Sequence, residues 1–149
     1  MMINTEIDNL YQEIILDHYR NPRNSGRPES FTIEANGNNP SCGDDVTIYL
    51  TIDCGMITDV RFCCTGCAIS VASASIMSET VKLKNLKDGL GLSKMVQRIL
   101  SGTENIQDEV LKNTDIIALT GVKHFPMRIK CATLAWHALD QAISNACQD

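Results

Sequence analysis

The chain of 149 residues carries 13 basic and 18 acidic residues, which gives a formal net charge of −5 at neutral pH. This acidic balance argues against a general nucleic-acid binder, because such a protein presents a basic face to phosphates. The length and the 44% content of apolar residues are typical of one domain with one core. We therefore expect a single domain over residues 1–149.

The sequence also argues against export and membrane insertion. Its first residues, MMINTEIDN, contain neither a basic segment nor an apolar segment of the kind found in secretory signals. The longest uncharged run, residues 62–78, is rich in Ser and Cys, so we interpret it as a strand leading into a buried helix. A cytoplasmic protein is expected, and the reducing cytoplasm favours free thiols for its seven cysteines.

The first half of the chain predicts one helix and a small sheet. Apolar residues recur at helical spacing over residues 5–19. Three strands follow, at residues 31–35, 46–52 and 57–64. The second of these alternates apolar and polar residues, and the turn DCGM after it predicts an antiparallel hairpin with the third.

The second half of the chain predicts helices. An Ala- and Ser-rich helix is expected over residues 67–83, a second over 92–101 and a long final helix over 126–146. Short helical pieces are expected over 106–118. Strands followed by helices predict an α+β fold, in which helices cover one face of a three-stranded antiparallel sheet.

Three cysteines lie where the predicted structure changes. Cys42 precedes the second strand, Cys67 stands at a helix N-terminus, and Cys131 lies near the start of the last helix. Because a hairpin joins the far ends of its two strands, Cys42, Asp44 and Cys67 should meet at one edge of the sheet. Cys131 can complete a set of four metal ligands if its helix begins over that edge.

Other assignments of the thiols remain open at this stage. The motif CTGC (64–67) is compatible with a redox dithiol or half of a zinc site, and Cys64 competes with Asp44 as the fourth ligand. We expect Cys54 and Cys147 to be small buried residues. Strand alternation should send Cys63 and Cys64 to opposite faces, with core filling the expected role for each. We expect the three histidines to be ordinary helix or loop residues rather than metal ligands: His18, His124 and His137.

Four stretches of the chain, in order, resemble the IscU/NifU N-terminal family of iron–sulfur cluster assembly proteins: LYQEIILDHYRNPRN, NPSCGD, GCAISVASASIM and GVKHFPMRIKCATLAW. Within this family the chain is most similar to the SufU branch. Its last two motif cysteines are separated by an additional segment at residues 86–112. Lys130 stands where IscU-type scaffolds carry a His, and their Leu-Pro-Pro-Val-Lys motif is missing.

The resemblance implies a zinc-binding protein that accepts sulfur from a SufS-like cysteine desulfurase and passes it to a SufB-like scaffold. Neither nucleic acid nor a membrane is an implied partner. The implied metal ligands are Cys42, Asp44, Cys67 and Cys131. Cys42 is the implied catalytic sulfur acceptor, with Gly43 as the hinge of its loop, and Arg128 and Lys130 border the site.

Two other functions are compatible with the same residues. The four ligands suit a two-iron two-sulfur cluster, which would make the protein a non-enzymatic scaffold rather than a sulfurtransferase-like enzyme. A zinc module that acts only as a binding partner is the third possibility.

Overall fold

The structure, a computed structural model, describes residues 2–41, 43–105 and 112–147, with side chains from residue 11 onward. It confirms the α+β fold with three antiparallel strands. The elements, in chain order, are α1 (Met2–Arg20), β1 (Ile33–Asn39), β2 (Asp44–Asp53), β3 (Met56–Thr65), α2 (Ala68–Val81), α3 (Leu86–Leu100), α4 (Thr114–Thr120), a 3-10 helix (Gly121–His124) and α5 (Pro126–Cys147).

The sheet has the order β1-β2-β3, with both pairs antiparallel. Ile48 in the central strand lies opposite Ala35 on one side and Phe62 on the other. The predicted alternation is confirmed, since Val46, Ile48 and Leu50 are buried on one face. The β2–β3 turn uses two residues of positive φ, as a tight hairpin requires.

Helix α5 is the central element of the helical layer. It packs against β1, β2, α2 and α3. Its Trp136 side chain is fully buried, and the indole N–H donates to Ser73 Oγ on α2 at 3.0 Å. Ser73 Oγ in turn donates to the carbonyl of Ala132 at 2.5 Å. No helix in the described part of the chain combines the length and apolar content needed to cross a bilayer.

The start of α3 differs from the sequence prediction. We expected a helix over 92–101, but α3 begins at Leu86. Asn85 caps it, because its side chain accepts from the Asp88 N–H at 2.7 Å. Gly89 is buried, and a Cβ at this position would lie 3.1 Å from Ile57 Cδ1. A larger residue would press on the Ile57 side chain, so glycine suits the close packing of the helix on the sheet.

The remaining predicted bounds agree to within a few residues. The first strand is shifted from 31–35 to Ile33–Asn39. The short helical pieces expected over 106–118 overlap the structure only at the start of α4, and residues 106–111 lie outside the described residues. The 3-10 helix was not predicted.

A buried histidine joins three helices. His18 on α1 is 2% exposed. Its Nδ1 lies 2.7 Å from Ser75 Oγ on α2, and its Nε2 lies 2.9 Å from Asp115 Oδ2 on α4. With the ring proton on Nε2, the ring donates to Asp115 and accepts from the Ser75 hydroxyl. Ser75 Oγ accepts from the Arg23 N–H at 2.9 Å, so every partner is satisfied.

The His18 network generates a stability prediction. His18→Ala leaves a cavity and removes the partners of Ser75 and Asp115, so we expect the free energy of unfolding to fall by about 2–4 kcal/mol. The matched control is His137→Ala, since His137 is exposed on α5 and should change stability by less than about 0.5 kcal/mol. Urea unfolding followed by circular dichroism measures both, and equal losses would contradict a structural role for His18.

Candidate metal centre

Three potential ligand side chains meet at one end of the sheet. One ligand atom each from Asp44, Cys67 and Cys131 lies within 4.8 Å of the others. They come from three elements: the first residue of β2, the residue preceding α2, and the second turn of α5. Cys42, predicted as the fourth member, lies outside the described residues.

The Asp44 carboxylate is buried and serves as a cap for α2. It is 1% exposed. Oδ1 accepts from the Cys67 N–H at 3.0 Å, and Oδ2 accepts from the Ser70 hydroxyl at 2.5 Å. The Cys67 side chain makes no cap hydrogen bond, so Asp44 supplies the anion at this helix N-terminus from another element. The predicted strand 46–52 leaves Asp44 in the preceding loop. In the structure Asp44 instead belongs to β2 and is paired with Asn39 in the sheet.

Gly66 allows this close approach between strand and helix. It has a φ of +157°, and a Cβ at this position would collide with the Asp44 carboxylate. Gly66 and Ser70 were not predicted as site residues. Their signal in the sequence was weak: a glycine before the helix and a serine three residues after Cys67, which are common at any helix start.

The two cysteines of this group of candidate ligands differ in environment. Cys131 is buried, whereas Cys67 is partly exposed. Burial opposes ionisation of Cys67, but the Ser70 hydroxyl, the Ser70 N–H and the Cys131 thiol outweigh it and lower the pKa of Cys67. The lowered pKa makes the Cys67 thiol more readily ionised than an ordinary cysteine.

Cys64 lies near the centre but is not part of the described group. Burial, together with the charges of Asp44, Cys67 and Asp45, raises the pKa of Cys64 to about 12. It is therefore a neutral thiol at physiological pH, half-buried against the core. This geometry favours Asp44 over Cys64 as a ligand.

The other thiols correct part of the sequence interpretation. Cys63 and Cys64 do point to opposite faces, but Cys63 is exposed, so the expectation that it fills the core was wrong. Cys54 and Cys147 are also exposed, so the prediction that they fill the core was wrong. Cys54 occupies the hairpin turn with a φ of +51°, and the end of a helix places Cys147 in solvent.

A second group of possible ligands is explained by the fold. His18, Glu79 and Asp115 also bring donor atoms within 4.8 Å of one another. His18 hydrogen-bonds to Asp115, and Glu79 lies 4.0 Å from the Arg23 guanidinium, so these contacts within the fold account for the group.

The basic residues predicted to border the site lie on α5. Arg128 and Lys130 are both exposed in its first turns, just before Cys131. Gly43 has a φ of +74° and open space around the position of a Cβ. His124 lies in the 3-10 helix that precedes α5.

The geometry of Gly66 generates a prediction about metal binding. Gly66→Ala forces the Asp44 carboxylate away from α2, so we expect weaker binding of Co²⁺, a spectroscopic substitute for Zn²⁺, by about tenfold or more. Gly26→Ala is the matched control, because Gly26 also has a positive φ, +111°, but no atom lies within 4 Å of its Cβ position. Equal Co²⁺ affinity in the two variants would contradict this role for Gly66.

Known proteins share this fold and these motifs. Residues 10–132 match the family described as NifU-like N terminal domain. The chain is 41% identical to the zinc-dependent sulfurtransferase SufU of Bacillus subtilis (strain 168), over 97% of each chain. It is 36% identical to the iron–sulfur cluster assembly scaffold protein IscU of Streptococcus pyogenes serotype M1, over 95% of this chain and 87% of that one.

A solved structure agrees with these relatives. The crystal structure of a putative iron–sulfur cluster assembly scaffold protein for the SUF system, from Fervidobacterium islandicum AW-1, superposes with a TM-score of 0.81 at 37% identity. The superposition covers 88% of this chain and 94% of that one. The chain therefore belongs to the IscU/NifU family of iron–sulfur cluster assembly proteins, through its NifU-like N-terminal domain.

Proposed function

We propose that this protein is a zinc-dependent sulfur acceptor in iron–sulfur cluster assembly, loaded by a SufS-like cysteine desulfurase. The observation that carries the proposal is the meeting of Asp44, Cys67 and Cys131 at the N-terminus of α2. The similarity to a relative named as a zinc-dependent sulfurtransferase supports the same function. A SufB-like scaffold is the proposed recipient, and the reducing cytoplasm is the proposed compartment.

The donor set suits zinc. Thiolate and carboxylate are both zinc ligands, and Cys42 is the proposed fourth, as the family resemblance implies. A carboxylate oxygen can accept more than one contact, so the hydrogen bonds that Asp44 accepts from α2 are compatible with coordination of a metal. When bound, zinc holds thiolates without oxidising them, because it is redox-inert.

The proposed reaction is a thiol–persulfide exchange. The Cys42 thiolate attacks the outer sulfur of the donor enzyme's cysteine persulfide. A sulfur–sulfur bond forms on Cys42, the donor's sulfur–sulfur bond breaks, and the donor cysteine leaves as a thiolate. The transferred sulfur keeps its proton, and no external oxidant or reductant is needed.

The neighbouring residues have distinct proposed roles. Three thiolates and one carboxylate exceed the charge of one zinc ion by two negative charges, and Arg128 and Lys130 lie on the first turns of α5, where they offset that excess. Gly43 gives the loop freedom at its junction with β2. Cys67 and Cys131 are held by helices and serve as the fixed part of the centre.

An iron–sulfur scaffold is the second proposed function. The relatives named as IscU scaffolds support it, and the same donors can hold a two-iron two-sulfur cluster, in which a non-cysteine ligand eases release. Lys130 in place of His and the long segment before Cys131 favour sulfur transfer.

The ligand assignment predicts zinc content. We expect Cys67→Ser and Cys131→Ser to lose most bound zinc, measured by elemental analysis of the purified proteins. Asp44→Asn keeps a hydrogen-bond acceptor for α2 but removes the charged ligand, so it should fold and bind zinc more weakly. Cys64→Ser is the control and should retain zinc; full zinc in Cys67→Ser with loss in Cys64→Ser would overturn the assignment.

The transfer step predicts a persulfide on one thiol. After incubation with a SufS-like desulfurase and cysteine, mass spectrometry should locate one added sulfur on Cys42, and Cys42→Ala should abolish both this adduct and the stimulation of the desulfurase. Cys54→Ala, which removes an exposed thiol at the far end of β2, should behave as wild type. A stable brown cluster after anaerobic reconstitution, without any sulfur adduct, would support the scaffold instead.

A further inference from the structure

We propose that the groove between α1 and α4 is the docking site for an apolar side chain, flanked by acidic residues, on the sulfur-donor enzyme. This inference rests on the proposed function, because it names the surface by which the donor is held. It is distinct from the ligand set, since none of the described ligands lines the groove.

The groove is large and mainly apolar. It has a volume of about 750 Å³. Tyr11, Ile15 and Leu16 of α1 form one wall, and Leu119 and Val122 contribute to the other. This space is large enough for one or two bulky side chains, and its lining suits an apolar anchor.

The groove is continuous with the candidate metal centre. Its floor includes Ala68 and Ile69, which directly follow Cys67. Its rim includes Arg128, one helical turn before Cys131. A partner seated in the groove is therefore held beside the ligands, as a transfer between two thiols requires.

Two exposed apolar side chains extend this surface. Phe125 lines the groove and is 64% exposed, and Met127 beside it is 89% exposed. A single exposed apolar residue is normal on a protein surface. Here an exposed aromatic ring lines an open apolar groove, and an exposed flexible thioether lies two residues further along the chain; aromatic residues and Met are enriched at protein interfaces.

The basic charge beside one wall of the groove favours an acidic partner. Lys123, His124, Arg128 and Lys130 lie in one short segment, and no acidic residue occurs between Asp115 and Asp140. This basic stretch is local, because the whole chain is acidic. A complementary partner therefore carries acidic residues around its apolar anchor.

A second copy of this chain fits the surface less well. A two-fold dimer formed through this face would bring two copies of the same basic segment into one interface. Like charges facing each other disfavour such a contact. The charge pattern thus favours a different protein over self-association.

The decisive test places a bulky side chain in the groove and leaves every candidate metal ligand unchanged. Gly121 lines the groove, has helical φ and ψ, and has open space around its Cβ position. Gly121→Phe should weaken binding to a SufS-like desulfurase by at least about tenfold. The matched control is Gly91→Phe, which adds the same ring to open surface on α3 and should change the Kd by less than about twofold.

Two further pairs of variants separate the apolar and the electrostatic contributions to binding of the desulfurase. Phe125→Ala should weaken binding, whereas Leu83→Ala should not, although Leu83 is 67% exposed. Lys123→Glu should slow association and reduce its dependence on salt, whereas Lys87→Glu on α3 should not. Isothermal titration calorimetry and stopped-flow kinetics on zinc-loaded proteins give these values, with zinc content measured in parallel.

The outcomes distinguish the groove from the proposed function. Wild-type binding by Gly121→Phe with intact zinc overturns the groove while leaving sulfur transfer standing. Failure of the wild-type protein itself to bind or stimulate a desulfurase overturns the proposed function. A dimer of the wild type in analytical ultracentrifugation that dissociates in Gly121→Phe identifies a second copy as the occupant and also overturns the inference.

Discussion

The candidate metal centre depends on the buried carboxylate of Asp44. A buried charge is costly unless hydrogen bonds and opposite charge compensate it. Here the Cys67 N–H, the Ser70 hydroxyl and the N-terminal dipole of α2 provide that compensation. The same bonds fix the start of α2 against the start of β2, and Gly66 leaves room for the contact. The candidate ligand Asp44 is therefore also a contact that holds the fold together, so substitutions at Asp44 affect both the centre and the fold.

The third candidate ligand, Cys131, is positioned by the packing of α5 against α2. Cys131 lies on α5, and the neighbouring Ala132 carbonyl accepts from Ser73 Oγ on α2. The Trp136 indole donates to the same hydroxyl one turn further along α5. Cys67 directly precedes α2 and Cys131 lies on α5, so these buried hydrogen bonds set the position of Cys67 relative to Cys131. The depth of Cys131 follows from that packing.

The charge around the centre has opposite signs on its two sides. The ligands are anionic, whereas the start of α5 and the 3-10 helix are basic. In the proposed docking mode, metal binding and partner docking are electrostatically linked, since the basic segment both offsets the candidate ligands and faces the acidic partner. Phe125 and the apolar groove then supply short-range contacts that charge alone does not.

The sequence by itself determined the features that depend on local periodicity and turn chemistry. The hairpin of 46–52 and 57–64 and the placement of Cys67 at a helix start could be predicted, because alternation and helix capping involve near neighbours in the chain. Only the tertiary structure decided the role of Asp44 and the helical state of Gly89, since both depend on contacts with residues far away in sequence. A carboxylate that caps a distant helix and a glycine packed under a strand have no periodic signal. Their positions follow from how the layers meet.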